Sequence, residues 1–172
     1  MIRLDASKCS GCRRCEVSCS FFHSGRVGRN ASRIKVVKIE AEGVDVPVLC
    51  QQCQERFCVK CPESAISIGE MGQIVVAPTL CTACGACETG CPIGAIELFN
   101  DIPYVCDLCG GEPRCVTECN LEAIVFEPGV TETVSLKDME NKNRGATPEA
   151  KRLDFARAAS RTVREDWVQR RR

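Results

Sequence analysis

Sixteen of the 172 residues are cysteine, and their spacing constrains the fold more than any other feature of the sequence. They fall into four groups of four, and no cysteine is left over. The groups are Cys9, Cys12, Cys15 and Cys19; Cys50, Cys53, Cys58 and Cys61; Cys81, Cys84, Cys87 and Cys91; and Cys106, Cys109, Cys115 and Cys119. Such regular grouping indicates that the cysteines act together, either as disulfides or as metal ligands.

Apart from its cysteines, the chain is poor in the residues that build a large apolar core. Hydrophobic residues make up 44% of the sequence and aromatic residues 5%. Without the cysteines the hydrophobic share falls to about 35%, which is little for a chain of this size. We therefore expect the cysteines to be structural. The 23 basic and 23 acidic residues balance, and this argues against a nucleic-acid-binding protein.

The sequence lacks the apolar segments that direct a chain to or across a membrane. No apolar run of signal-peptide length opens it, and no window approaches the roughly 18 apolar residues of a transmembrane helix. We therefore expect a cytoplasmic protein without membrane insertion. Thiols stay reduced in the cytosol, so sixteen cysteines there indicate metal ligands rather than disulfides.

The third group has the spacing C-x2-C-x2-C-x3-C and is followed by Pro92. This is the bacterial two-cluster ferredoxin run, in which three close cysteines bind one iron–sulfur cluster and the fourth binds another. Structural zinc is the alternative, but zinc needs only C-x2-C pairs and not the third close cysteine or the proline. Sixteen ligands predict four [4Fe–4S] clusters. The second group is the most natural exception, with zinc, a three-iron cluster or nothing as its alternatives.

Short repeated units surround these groups. Ala-Ile follows the second, third and fourth groups at Ala65, Ala95 and Ala123, each time before a short strand pattern. Residues 33–49 and 69–78 are predicted hairpins. Residues 128–147 are predicted to be a linker. Beyond it, 148–172 is predicted to be an amphipathic helix that begins near Thr147, with an apolar stripe that includes Ala156, Ser160 and Val163.

The four groups together resemble the iron–sulfur subunits of molybdenum and tungsten oxidoreductases, the family of the dimethyl-sulfoxide reductase iron–sulfur subunit. The motifs are CSGCRRCEVSCSFFHSG, LCQQCQERFCVKCPESAI, LCTACGACETGCPIGAIEL and VCDLCGGEPRCVTECNLEAI. The string CDLCGGEPRC is typical of soluble members, such as the small subunit of tungsten aldehyde oxidoreductase. The spacing departs from the family between Cys58 and Cys61, which two residues separate instead of three.

The resemblance implies an α+β fold of two nested ferredoxin-like modules within residues 1–127. The outer module comprises 1–32 and 100–127, the inner module 48–99, and 33–47 is an inserted hairpin. The implied ligand sets are Cys9, Cys12, Cys15 with Cys119; Cys106, Cys109, Cys115 with Cys19; Cys81, Cys84, Cys87 with Cys61; and Cys50, Cys53, Cys58 with Cys91. If the first two groups paired instead, the clusters would follow in another order.

The resemblance also implies a role in electron transfer without catalysis. The family passes single electrons between a large tungsten or molybdenum catalytic subunit and a flavin subunit or ferredoxin, and an aldehyde oxidoreductase of anaerobic metabolism fits best. The alternatives are an accessory ferredoxin for metalloenzyme maturation and a free polyferredoxin shuttle. In either role the clusters have no open coordination position, so we expect no catalytic residues.

Two further features carry expectations. His23 is the only histidine, and we expect it to be a local hydrogen-bonding residue rather than a ligand. Residues 137–172 hold 11 basic and 6 acidic side chains, whereas residues 1–136 hold 12 and 17. This complementarity suggests that the C-terminal helix docks on a partner or on another copy, which could extend into a filament. A helix packed on its own body is the alternative.

Overall fold

The computed structural model describes residues 1–130 and 133–170 and has mixed α and β structure. The strands of the described residues are β1 (Ile2–Leu4), β2 (Ile34–Ile39), β3 (Val44–Leu49), β4 (Ile66–Ile68), β5 (Ile74–Val76), β6 (Glu97–Phe99), β7 (Ile102–Tyr104) and β8 (Ile124–Phe126). The helices are α1 (Arg14–Ser24), α2 (Ala86–Gly90), α3 (Arg114–Thr117), α4 (Lys137–Asn143), α5 (Pro148–Ala159) and α6 (Arg161–Arg170). Small sheets and short helices confirm the predicted α+β class.

The strands pair two by two into antiparallel ribbons, β1 with β8, β2 with β3, β4 with β5 and β6 with β7. Three of these ribbons are local hairpins, but β1 and β8 come from distant parts of the chain. In this sheet Ile2 lies opposite Phe126 and Leu4 lies opposite Ile124. Helices α1 and α3 also pack together. The first and last parts of residues 1–127 therefore meet, and β4 to β7 lie between them in sequence.

The β2–β3 hairpin is present as predicted and is buried on both faces. Ile34 lies opposite Leu49, and both belong to a core that also contains cysteines of the first and fourth groups. The opposite face carries Val46, which packs with Ala156 of α5. Alternation of side chains along a strand thus explains how one hairpin joins two cores.

A second large core is formed around the middle of the chain. It contains Ile66 of β4, Ile74 of β5 and Ile96, together with Cys58 and Cys91. The predicted hairpin at 69–78 is thus present, although its first strand begins earlier, at Ile66. Cysteines make up much of both cores, as expected for a chain with few large apolar residues.

The C-terminal region differs from the expectation in three respects. Helix α4 lies inside the range predicted as a linker. The predicted single helix is two helices, because Ser160 leaves helical geometry at φ −100° and ψ 5° and its hydroxyl donates to the Ala156 carbonyl. The start of α5 is confirmed, since the Thr147 hydroxyl accepts a hydrogen bond from the Ala150 N–H at 3.3 Å.

The third difference concerns what α5 touches. Ala156 and Ser160 on the predicted apolar stripe are fully buried, and α5 packs on β2 and β3 of its own chain. The structure therefore has the alternative arrangement, in which this helix packs on the body of its own chain. Within the residues that the structure describes, no helix is both long and apolar enough to span a membrane.

Candidate metal centres

In each predicted ligand set, cysteines from two different groups lie near one another in the structure, and all sixteen have free thiols. The first set comprises Cys9, Cys12, Cys15 and Cys119, hereafter the Cys9 set. Burial raises the pKa of Cys9, and the nearby charges of Cys119 and Cys12 raise it further. A cavity of about 260 Å³ lies among these four residues. Distant parts of the chain meet here, since Cys119 follows α3 and Cys15 lies on α1.

The second set comprises Cys19, Cys106, Cys109 and Cys115, hereafter the Cys19 set. Burial raises the pKa of Cys115, and the charges of Cys19 and Cys109 add to this effect. Burial also raises the pKa of Cys106 strongly, with the charge of Cys115 as the next cause. Cys19 therefore joins residues of the fourth group rather than its own sequence neighbours.

The third set comprises Cys50, Cys53, Cys58 and Cys91, hereafter the Cys50 set. Burial raises the pKa of Cys58 to about 12, and the charges of Cys91 and Cys53 contribute to the rise. Burial likewise raises the pKa of Cys50, to which Cys91, Cys58 and Cys53 add their charges.

The fourth set comprises Cys61, Cys81, Cys84 and Cys87, hereafter the Cys61 set. Burial raises the pKa of Cys87 to about 11, with smaller contributions from the charges of Cys81 and Cys61. Cys84 is exposed and lies on the loop between Cys81 and Cys87.

Neighbouring sets also share buried cores, since Cys50 packs against the core that contains Cys19, Cys106 and Cys115, and Cys58, Cys87 and Cys91 lie together in the other. Burial raises the pKa of Cys58 in the Cys50 set, and the charges of Cys91 and of Cys87 in the Cys61 set raise it further. Besides burial and Cys115, the charge of Cys50 raises the pKa of Cys106, which links the Cys50 and Cys19 sets. Burial raises the pKa of Cys115, and the charge of Cys15 adds to this rise, which links the Cys19 and Cys9 sets. The four sets therefore form a row.

The backbone at each group turns in the same unusual way. The residue two positions after the first cysteine has a left-handed backbone, with φ of 66° at Gly11, 50° at Gln52, 55° at Ala83 and 60° at Leu108. Three of these residues are not glycine, so the turn costs about 1 kcal/mol or more at each of them. Such strain persists only where the surroundings demand that conformation, and it is typical of ligand-binding loops.

Backbone N–H groups also point at the sulfur atoms. Arg33 N donates to Cys19 Sγ at 3.3 Å, Gln52 N to Cys50 Sγ at 3.4 Å and Ala95 N to Cys91 Sγ at 3.2 Å. These donors suit thiolates, which accept hydrogen bonds and carry negative charge. Buried thiols with raised pKa values lose their protons when a metal binds them. The donor sets and their amide donors therefore fit iron–sulfur groups.

His23 is placed beside the Cys19 set. Its Nε2 lies 3.6 Å from Cys109 Sγ and 3.5 Å from Asp107 Oδ1. Burial and the charge of Arg33 lower the pKa of His23, and Asp107 opposes them. The position fits the expected hydrogen-bonding role, but the partners lie on a distant part of the chain and not close to His23 in sequence. Among the residues that the structure describes, His23, Asp107 and Cys109 also form a group whose ligand atoms all lie close together.

Sequence reasoning missed a buried acid next to the Cys9 set. Glu16 is 2% exposed, and its Oε1 accepts a hydrogen bond from Val36 N at 2.6 Å. Glu16 thereby connects α1 to β2 directly beside Cys15. Burial and the charge of Glu16 raise the pKa of Cys15. In the sequence, Glu16 differs from other acidic residues only because it directly follows a cysteine. Charged residues follow several of the cysteines, so this position did not distinguish it.

Comparisons with known proteins support iron–sulfur binding by this chain. Residues 74–97 match the family model described as a 4Fe-4S binding domain. The chain is 43% identical over 123 residues to the polyferredoxin-like subunit of an aliphatic sulfonate oxidoreductase from Pyrococcus furiosus, covering 69% of this chain and 70% of the relative. It is 37% identical to a putative electron transport protein of Escherichia coli K12, covering 70% and 84%.

A further relative is a probable anaerobic dimethyl sulfoxide reductase chain of Escherichia coli K12, 30% identical, with 73% of this chain and 71% of the relative covered. Among solved structures, the active-site complex of benzoyl coenzyme A reductase as isolated contains a chain that is 28% identical. It covers 83% of this chain and 85% of that one with a TM-score of 0.46. The chain belongs to the family of ferredoxin-type iron–sulfur subunits of oxidoreductases.

Proposed function

We propose that this chain is a non-catalytic electron-transfer subunit that carries four [4Fe–4S] clusters, one in each cysteine set. The observation that carries the proposal is the row of four sets, each linked to the next by a pair of neighbouring cysteines. Bound iron–sulfur clusters supply one-electron transfer. The protein's own part is to hold sixteen thiolates, direct amides at them and keep most of the row buried.

The two ends of the row suit exchange of electrons with other proteins. The exposed cysteines are Cys12 in the Cys9 set and Cys84 in the Cys61 set, and these sets end the row. We propose that electrons enter at one end and leave at the other. We also propose the nested modules, with the Cys9 and Cys19 sets in the outer module and the other two in the inner one.

The proposed partner is a large catalytic subunit that contains tungsten or molybdenum, with an aldehyde oxidoreductase as the best candidate. The names of the relatives support a catalytic partner, because two of them are subunits of oxidoreductases. The choice of tungsten and an aldehyde rests on the motif CDLCGGEPRC alone. The proposed second partner is a flavin subunit or a ferredoxin, and the proposed location is the cytoplasm, where free thiols persist.

Anaerobic isolation of the tagged chain from its native cells tests this proposal. We expect a coloured complex with a large subunit, iron and sulfide in the amounts of four cubes, and tungsten or molybdenum in the large subunit. Four overlapping EPR signals should appear on reduction. A lone iron-loaded monomer would favour the polyferredoxin shuttle, and capture of an apo-metalloenzyme would favour the maturation ferredoxin. A colourless chain or a zinc-loaded one would overturn the assignment.

Self-association through the C-terminal helix is a weaker proposal. Helix α5 is used within the molecule, so a second copy would have to contact α6. Part of α6 is also engaged, since Arg164 pairs with Glu42 at 2.9 Å. Removal of residues 161–172 followed by mass measurement of the complex tests it, and unchanged assembly would rule it out.

A further inference from the structure

The segment of residues 133–159, which includes α4 and α5, passes close to the Cys50 set, and we call it the C-terminal arm. The arm lies outside the cysteine groups and contributes no predicted ligand. It nevertheless contacts both of the loops that supply the cysteines of the Cys50 set. Three kinds of contact hold the arm in this place.

The first contact fixes the loop between Cys53 and Cys58. Gln54 N donates to the Val134 carbonyl at 3.0 Å. The Glu55 carboxylate accepts hydrogen bonds from Leu136 N at 3.0 Å and from the Ser135 hydroxyl. The beginning of the arm is therefore fastened to this loop through both backbone and side chain.

The second contact fixes the chain just after Cys91. Asn143 Nδ2 donates to the Pro92 carbonyl at 3.0 Å. Arg152 Nη1 donates to the Gly94 carbonyl at 3.0 Å. These two side chains are each 7% exposed, so they bind backbone carbonyls that water hardly reaches.

A buried lysine adds to the second contact. Lys151 is only 1% exposed, and its Nζ donates to the Thr89 carbonyl at 2.6 Å. A buried ammonium group is costly unless it is hydrogen-bonded. A residue that only covered the surface would not need a buried ammonium group. Lys151 therefore indicates a specific attachment to the end of α2, just before Cys91.

The third contact lies between these two. Leu136 is 5% exposed and lines the same cavity as Cys50, Cys53, Cys58 and Cys91. Met139 of α4 and Phe155 of α5 pack against the core to which this cavity belongs. The arm therefore places Leu136 beside the Cys50 set, packs further apolar side chains against the surrounding core, and is held in place at both sides.

We propose that the C-terminal arm is a built-in cover for the Cys50 set, which holds its two ligand loops together and excludes solvent from the group bound there. The inference rests on the proposed function, since it concerns an iron–sulfur group in that set. It also gives the inner part of the row a protection that the ends lack, where Cys12 and Cys84 are exposed.

The test measures iron release from the anaerobically prepared, iron-loaded full-length chain in the presence of the chelator 2,2′-bipyridyl. Leu136→Gln brings a polar group to the cavity and loosens the cover. We expect one cluster's share of the iron to leave at least about tenfold faster, equivalent to about 1.4 kcal/mol of easier opening. One EPR signal should disappear first, while the remaining signals keep their shape.

Two further variants make the result decisive. Asn143→Ala removes one attachment without opening the core and should accelerate release from the same site to a smaller extent. Ala158→Ser changes an exposed position of α5 and should release iron as the unsubstituted chain does. Release at the unsubstituted rate in both arm variants would overturn the cover. So would equal loss from all sites, because that reports general unfolding.

The unsubstituted chain separates this inference from the proposed function. If it binds no iron, the proposed function and the cover both fail. If it is fully loaded but the arm variants behave like Ala158→Ser, the cover alone fails.

Discussion

Single residues set the chemistry around the sulfur atoms, and His23 is the clearest case. Its Nε2 lies near the Asp107 carboxylate and Cys109 Sγ. With Cys109 as a cluster ligand, as proposed, both neighbours are acceptors only. The Nε2 atom must therefore carry the ring proton. A donor aimed at a ligand sulfur stabilises the reduced, more negative form of an iron–sulfur group.

His23→Leu should lower the reduction potential of the cluster in the Cys19 set by roughly tens of millivolts, because the lost donor is a charge-assisted hydrogen bond. His23→Gln keeps an N–H donor and should restore much of the difference. Potentiometric titration followed by EPR measures both. Equal potentials in His23→Leu and the unsubstituted chain would show that the contact has no electronic role.

Gly94 is the residue at which the arm comes closest to the chain after Cys91. Its φ is +61°, and an added Cβ would lie 2.1 Å from the Pro148 carbonyl oxygen. Gly94→Ala should therefore displace the start of α5 and destabilise the protein by roughly 3 kcal/mol or more, combining backbone strain with a clash.

Gly145→Ala is the matched control for this substitution. Gly145 also has a positive φ, of +77°, but nothing lies within 4 Å of its added Cβ. Gly145→Ala should therefore lower the free energy of unfolding by only about 1 kcal/mol. Thermal unfolding of the iron-loaded variants gives the comparison, and similar melting temperatures would contradict the close approach at Gly94.

The limits of sequence reasoning are clear at this scale. The cysteine spacing predicted four groups of metal ligands, because ligand chemistry fixes that spacing, and the family resemblance implied which groups share a site. It did not predict the left-handed turns at Gln52, Ala83 and Leu108, since none of these residues favours that conformation by itself. Hydrogen-bonding partners such as Glu16 and His23 depend on contacts between distant segments, which composition does not reveal.

At the scale of elements, the contact between α5 and the β2–β3 hairpin determines the place of the whole C-terminal arm. Ala156 has no exposed surface and packs with Val46 of β3. A small residue at this point allows the helix to approach the sheet closely. The face of the hairpin that would otherwise be an exposed apolar patch is thereby covered.

Ala156→Leu should destabilise the protein by about 1–3 kcal/mol, because extra methylene groups do not fit into a closely packed contact. Ala158→Leu, on the exposed side of the same helix, should have little effect. Thermal unfolding distinguishes the two variants. If both melt alike, α5 does not rest on the hairpin in solution.

Local patterns predicted some elements better than others. The Val- and Ile-rich stretch at 33–49 predicted β2 and β3, and Thr147-Pro148 predicted the start of α5. The break at Ser160 was not predicted, because the apolar stripe continues in register beyond it. Helix α4 was also missed, since a helix this short depends mainly on tertiary contacts such as those of Leu136 and Met139.

For the whole molecule, the cores and the metal centres are the same structure. Cys15, Cys19, Cys106 and Cys115 are buried in one core, and Cys58, Cys87 and Cys91 in the other. Without bound iron, the space between the thiols would stay unfilled, because no other side chains occupy it. Stability should therefore depend on the metal, as in other small metal-containing domains.

Complete removal of iron under anaerobic conditions should abolish cooperative thermal unfolding and most of the near-ultraviolet circular dichroism. The helices α5 and α6 should keep part of their far-ultraviolet signal. Reconstitution with iron and sulfide should restore the transition. An iron-free chain that still unfolds cooperatively would show that the apolar residues alone maintain the fold.

The pairing of β1 with β8 has a consequence for how the protein is made. Because Ile2 lies opposite Phe126, the N-terminal strand cannot find its partner until the ribosome has released most of the chain. The cysteines at 9, 12 and 15 likewise wait for Cys119, whereas those of the middle groups are complete much earlier. Assembly factors would therefore load the Cys50 and Cys61 sets first, and the Cys9 set would be the last to mature.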